Sequence, residues 1–232
     1  MASDAAKAEL FPLLLKASAL TFGTYTLKSG RTSPYFFTSS LLHTSGLLAA
    51  VGRAYASVLT SPPFSSTESV PQYDILFGPA YKGIPISAVV TRELENAGKN
   101  FEGVSYSFNR KEAKDHGEGG TIVGAPLEDK RVVIIDDVMT AGTALREAVS
   151  IIQAQGGKVA GVVLLLTRQE RVSDDEPRSA MKVAEDELGV PVRAVLNFED
   201  IMEAVKAGKI EGAGSEQLEQ MRVYREKYGS RD

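Results

Sequence analysis

Apolar residues change their spacing along this chain, and the changes mark its elements. Leu10, Leu13, Leu14 and Ala17 recur at helical spacing and predict an opening amphipathic helix. Pro12 must then sit near its start or kink it. Residues 24–28 and 34–38 flank the turn-like Ser29-Gly30-Arg31 and predict a short hairpin. Leu48, Val51, Tyr55, Val58 and Leu59 mark a second helix. From Asp74 onward the texture differs. Short apolar strands are predicted over 74–77, 101–108, 131–135, 159–166 and 192–196. Helices are predicted over 84–94 and on the face carrying Ala144, Leu145, Ala148, Ile151 and Ile152.

Continuous Val/Ile/Leu strands alternating with helices indicate a parallel sheet covered on both faces. The predicted fold is a doubly wound α/β domain with a mostly parallel sheet and a small N-terminal hood. It forms a single domain over 1–232, with the hood mainly 1–40 and the core about 45–210. In such sheets ligands bind beyond the C-terminal strand ends. That directs attention to the loops at 78–83, 107–120, 136–143 and 167–171.

Composition narrows the classes. Of 232 residues, 43% are hydrophobic and 24% charged, ordinary values for a globular protein. A net charge of -4 gives no global field for nucleic acid or an anionic membrane. The absence of cysteine excludes disulfides, thiol catalysis and Cys-ligated zinc, and fits a cytoplasmic protein. Apolar runs fall far short of the ~20 residues that span a bilayer. The N-terminus, with Asp4 and Glu9 and no basic region, does not read as a signal peptide. The Ser/Pro-rich 61–71 reads as a surface loop insertion.

Four segments at predicted strand ends and one in the hairpin carry candidate chemistry. In VVIIDDVMTAGT at 132–143, a buried strand runs into Asp136 and Asp137, then a turn of small residues opens a helix. Small residues admit a phosphate to the backbone N–H groups, and the helix N-terminus favours its charge. Thr140 and Thr143 add hydroxyl donors, and the two carboxylates suit a sugar diol or a metal. An isolated acid pair would read as an ordinary acidic turn; the whole string does not. FGPAYKGI at 77–84 repeats the strand, tight loop and helix start, with Lys82 where an anion is already favoured. NRKEAKDHGEGG at 109–120 gathers Arg110, Lys111, Lys114 and His116 with almost no apolar residue. It reads as a cationic lid able to meet growing negative charge. KSGRTSPYFF at 28–37 places Phe36 and Phe37 on opposite faces of a strand. Arg168, in TRQER at 167–171, stands where it could pair bidentately with a carboxylate.

The 132–143 string resembles the PRPP-binding signature of type I phosphoribosyltransferases. RKEAKDHGEGG, KSGRTSPYFF and RQE are similar specifically to orotate phosphoribosyltransferases, and the five matches span residues 28–171 in that family's order. The resemblance implies transfer of ribose-5-phosphate from PRPP to orotate, giving orotidine 5′-monophosphate and pyrophosphate, in de novo pyrimidine synthesis. It implies that Asp136 and Asp137 hold the ribose hydroxyls, and that the turn at Val138, Met139, Thr140, Ala141, Gly142, Thr143 and Ala144 holds the 5′-phosphate. Tyr81 and Lys82 would bind pyrophosphate, with a cis peptide expected at Ala80–Tyr81. Lys28, Arg110, Lys111, Lys114 and His116 would contact PRPP. Lys114, His116, Asp136 and Asp137 would be catalytic, and Phe36, Phe37, Thr140 and Arg168 would hold orotate. Arg171 reads as structural.

Mg²⁺ is the implied cofactor, carried largely by PRPP near Asp136 and Asp137, with no dedicated protein cage. The implied assembly is a homodimer sharing the 109–120 loop, with no nucleic acid or membrane partner. The 61–71 segment is longer than in compact bacterial members and points to a fungal-like branch. Two rivals stand beside this reading. A purine phosphoribosyltransferase would need neither Arg168 nor the lid. A non-catalytic PRPP-sensing regulator of the same fold would tend to lose the lid.

Overall fold

A computed structural model describes residues 1–114, 120–139, 142–210 and 212–232. In chain order the elements are α1 (Asp4–Lys16), β1 (Leu20–Thr26), β2 (Thr32–Phe37), α2 (Ser45–Leu59), β3 (Ile75–Phe77), α3 (Gly83–Leu94), β4 (Ser105–Lys114) and β5 (Gly120–Gly124). They continue as β6 (Arg131–Val138), α4 (Thr143–Ala154), β7 (Lys158–Thr167), α5 (Ala180–Leu188), β8 (Val192–Asn197), α6 (Phe198–Lys206) and α7 (Ser215–Tyr228).

Six strands form one sheet in the order β5-β4-β3-β6-β7-β8. Every neighbouring pair is parallel except β4 and β5. Alternation along each strand sends side chains to two separate cores. Val133, Ile135, Val163, Leu165 and Val195 face α2, α3 and α6. Val132, Ile134, Val162, Leu164 and Ala194 face α4 and α5. This is why the inner stretches of these strands are mostly apolar. From β3 the chain crosses through α3 to β4 on one side. From β6 it crosses through α4 to β7 on the other. The loops leaving β3 and β6 therefore diverge, and the crevice between them is where such sheets bind ligands.

Beside the sheet, β1 and β2 pair antiparallel from Leu20↔Phe37 to Thr26↔Thr32. The hood is not built by the N-terminal residues alone, because α7 packs against β2. Tyr35 of β2 stacks on Phe198 of α6 at 5.2 Å, and Phe198 meets the Tyr224 edge at 6.1 Å.

Several boundaries differ from expectation. The opening helix is capped by the Ser3 side chain, which accepts from the Ala6 N–H. Pro12 therefore lies well inside α1 rather than near its start. The first hairpin strand begins at Leu20, leaving Leu27 and Lys28 in the turn. Phe101 is buried in a 3-10 turn, and the following strand runs 105–114 instead of 101–108. The predicted loop at 107–120 is thus mostly an antiparallel ribbon of β4 and β5, solvated enough to hide its strand character. Likewise β6 carries Asp136, Asp137 and Val138 within the strand. The sequence reading did not name β5, α5, α6 or α7. The 61–71 segment is more than a surface insertion: Phe64 is buried against Gly161, where a Cβ would come within 2.5 Å of its ring.

Candidate active site

The acid pair is presented by the C-terminal end of β6 and held by neighbours distant in sequence. The Tyr55 hydroxyl of α2 donates to the Asp136 carbonyl at 2.7 Å. The Asp136 carboxylate accepts the Asp137 backbone N–H at 2.9 Å. Burial, and then the adjacent Asp137 charge, push the Asp136 pKa up to about 6. Asp137 is buried, and its Oδ2 accepts from the Ser39 hydroxyl and from Lys82 Nζ at 3.1 Å. One carboxylate thus joins the β6 end, the loop after β3 and the turn that follows the hood hairpin.

The loop after β3 is shaped by two glycines. A Cβ on Gly78 would lie 2.2 Å from the Gly83 carbonyl oxygen, so strand exit and helix start can touch only without side chains. The Ala80–Tyr81 peptide is cis, as the resemblance implied. The Ala80 N–H donates to the Asn109 side chain of β4 at 2.9 Å, and Tyr81 is exposed.

After β6, Gly142 takes a left-handed φ of 71° and caps α4, whose first residue is Thr143. A cavity of about 220 Å³ opens here, lined by Asp136, Val138, Met139, Gly142, Thr143 and Ala144, among others. A strand end, a glycine cap and a helix N-terminus around a small hollow suit a phosphate. Thr140, Ala141 and His116 lie outside the described residues. Lys114 ends β4, and its side chain also lies outside them. On the ribbon, Arg110 Nη1 donates to the Gly120 carbonyl at 3.3 Å, and Lys111 Nζ is 3.9 Å from Glu147 of α4.

Beneath the hood, Arg168 at the β7 exit is enclosed by both ends of the chain. Its Nε donates to Glu170 Oε1 at 2.5 Å, and its Nη2 to Ser33 Oγ at 2.8 Å. The guanidinium lies 4.3 Å from the centre of the Tyr35 ring, a cation–π contact. Phe36 is exposed and tilted onto Tyr25 at 5.4 Å, while Phe37 turns to the other face and packs on the core. Lys28 is exposed in the hairpin turn. The structure therefore joins Lys82 to Asp137 and Arg168 to the hairpin. Phe36, Tyr81 and Lys28 stay open to solvent. Ser39, Tyr55, Asn109, Arg31, Glu170 and Tyr224 were missed, because, the nearby Arg168–Glu170 pair apart, their partners lie far away in sequence. Three of them stood inside readable motifs, Arg31 in 28–37, Asn109 in 109–120 and Glu170 in 167–171.

Comparison with known proteins decides the family. Residues 39–191 match the phosphoribosyl transferase domain. An orotate phosphoribosyltransferase from Coccidioides immitis is 54% identical, over 100% of this chain and 99% of its own. The chain belongs to the orotate phosphoribosyltransferases. Another of these enzymes, from Stenotrophomonas maltophilia, is 46% identical over 94% of each chain. The crystal structure of the Francisella tularensis orotate phosphoribosyltransferase superposes with a TM-score of 0.78 at 42% identity, covering 95% of this chain and 98% of that one. This membership sets aside the purine-specific and non-catalytic alternatives. Among the described residues, no helix is long and apolar enough to cross a membrane.

Proposed function

We propose that this chain performs the family reaction on PRPP and orotate with the residues gathered at the C-terminal edge of its sheet. Orotate N1 forms a bond to C1′ as the bond from C1′ to pyrophosphate breaks. Pyrophosphate leaves with that electron pair, the N1 proton is released, and the transition state is oxocarbenium-like. The observation that best supports this assignment is the Lys82–Asp137 contact. It brings the two loops expected to hold pyrophosphate and ribose to one point of the crevice.

Asp136 and Asp137 would hold the ribose hydroxyls. The glycine-capped start of α4 would bind the 5′-phosphate through its backbone N–H groups, with Val138 and Met139 leading into it. Lys82 and the loop around Tyr81 would orient pyrophosphate. Arg168 would pair with the orotate carboxylate while Phe36 and Phe37 flank the ring. Arg110, Lys111, Lys114 and His116 would meet the charge that grows on the leaving group, and Lys28 would contact PRPP. An interaction made mainly in the transition state raises turnover more than ground-state affinity.

Among the described residues there is no cluster of three or more metal-ligating side chains. The donor set on hand is the Asp136–Asp137 pair, with Asp137 already engaged by Lys82. That fits Mg²⁺ held jointly by substrate oxygens and one or both carboxylates. Bound there, the ion would neutralise pyrophosphate charge. A cytoplasmic homodimer sharing the 109–120 segment completes the reading. PRPP-dependent loss of orotate absorbance, requiring Mg²⁺, is the expected result. Absence of turnover with both substrates and the metal present would refute it.

A further inference from the structure

Arg168 is not the only cation under the hood. Arg31, from the hairpin turn, places Nη1 3.0 Å from Glu170 Oε2 and donates through Nη2 to the Arg171 carbonyl at 2.9 Å. Its guanidinium also lies 5.1 Å from the Tyr228 ring centre. Glu170 is thus used on both oxygens. Oε1 accepts from Arg168 Nε and from the Tyr224 hydroxyl at 2.7 Å, and Oε2 accepts from Arg31. All three charged side chains are sheltered, with 13–16% of their surface exposed.

Two guanidiniums sharing one carboxylate leave a single net positive charge in a sheltered place. Such a charge is costly unless matched. Among the described residues, the hydrogen bonds of Arg168 run from Nε and Nη2. That leaves Nη1 and the rest of the outer guanidinium edge for an incoming group. Without Arg31, Glu170 would cancel Arg168, and the pocket would present no net attraction to an anion. With Arg31, Glu170 is neutralised and also holds Arg168 in position.

We infer that Arg31 and Glu170 are specificity-determining positioning residues. They set the local charge to plus one, so that a base carrying one carboxylate is bound and an uncharged base is not. Arg31 supplies the charge balance and Glu170 the orientation. Tyr224 extends the arrangement into α7, so the C-terminal helix belongs to base selection. This inference rests on Arg168 facing the orotate carboxylate.

A charge-neutralisation series separates this from simple structural support. Arg31→Gln leaves no net charge in the trio and should raise the orotate KM roughly tenfold, about 1.4 kcal/mol, while the PRPP KM moves less than about threefold. Arg31→Lys keeps the charge and should stay within about threefold of wild type. The deciding variant is Arg31→Gln combined with Glu170→Gln. It restores the single positive charge and keeps an amide oxygen for Arg168 Nε. Its orotate KM should return to within about threefold of wild type. A double variant as poor as Arg31→Gln, or worse, would overturn the inference, because lost scaffolding does not recover when a second contact is removed. Arg168→Gln, measured alongside, tests the underlying assignment. An unchanged orotate KM there would refute the base site itself. A raised value there without rescue in the double variant would refute charge matching alone. Calorimetric PRPP binding by each variant reports whether the rest of the site is folded.

Discussion

At the end of β6, Asp136 sits beside a second carboxylate in a largely buried position, and its pKa rises to about 6. Two consequences follow with opposite value to the protein. For function, protonation removes the charge proposed to hold ribose and metal-bound PRPP. The acid limb of kcat/KM for PRPP should therefore fall near pH 6, higher than an ordinary aspartate would allow. A pH profile flat down to pH 4.5 would contradict this. For stability, the folded state binds the proton more tightly than the unfolded chain between the ordinary aspartate pKa and about 6. Stability is therefore lost as pH rises through that window. Asp136→Asn should stabilise the fold at pH 7.5 by roughly 1–3 kcal/mol, and the gain should shrink toward pH 4. Denaturation at both pH values checks it. The same variant, like Asp137→Asn, should impair PRPP use. Arg168 is the second residue with a sharp expectation. Arg168→Ala leaves the partner carboxylate unpaired and should weaken orotate binding by about 2–5 kcal/mol, with PRPP binding much less affected. Calorimetry showing equal loss for both ligands would place Arg168 elsewhere.

Among the elements, the loop between β3 and α3 shows how a close approach becomes a site. Gly78 and Gly83 touch where any Cβ would overlap backbone. Gly78→Ala must therefore push the strand end away from α3, moving Lys82 relative to Asp137. A loss of roughly 1–3 kcal/mol of stability is expected, together with a raised KM for PRPP. A variant with wild-type melting and PRPP affinity would contradict this. The same scale explains what could be read in advance. β3, β6, β7 and β8 were legible because burial on both faces leaves mostly Val, Ile, Leu, Phe and Ala in their inner stretches, with the polar residues toward the strand ends or at Arg193. The far part of β4 was not, since Arg110, Lys111 and Glu112 on a solvated ribbon carry no apolar period. α6 had a readable signature in the Asn197–Asp200 capping box and the spacing of Phe198, Ile201 and Val205. α7 had little, burying only Met221 and Tyr224. The motifs revealed which residues carry the chemistry. The contacts that hold them, such as Arg31 to Glu170 and Ser39 to Asp137, cross more than ninety residues and leave no local pattern.

For the whole molecule, the two chain ends close over one edge of the sheet, and the cationic ribbon stands at the other, beyond β3. In the proposed homodimer the tip of this ribbon would serve the neighbouring subunit. Lys114→Ala should lower kcat roughly 10²–10³-fold, comparable to losing one oxyanion donor, with less effect on PRPP affinity. Mixing Lys114→Ala with Asp137→Asn protomers should restore activity toward about a quarter of wild type, since ~half of reassorted dimers are mixed and each holds one intact site. No recovery despite proven subunit exchange would place Lys114 in its own subunit's site. The central claim is narrower than assembly: this crevice selects a carboxylated pyrimidine for phosphoribosyl transfer. Its most direct test is turnover of orotate, uracil, adenine and hypoxanthine with PRPP and Mg²⁺, each as sole base. Orotate alone should be converted at an appreciable rate, with pyrophosphate released one for one. Faster conversion of a purine or of uracil would contradict the account.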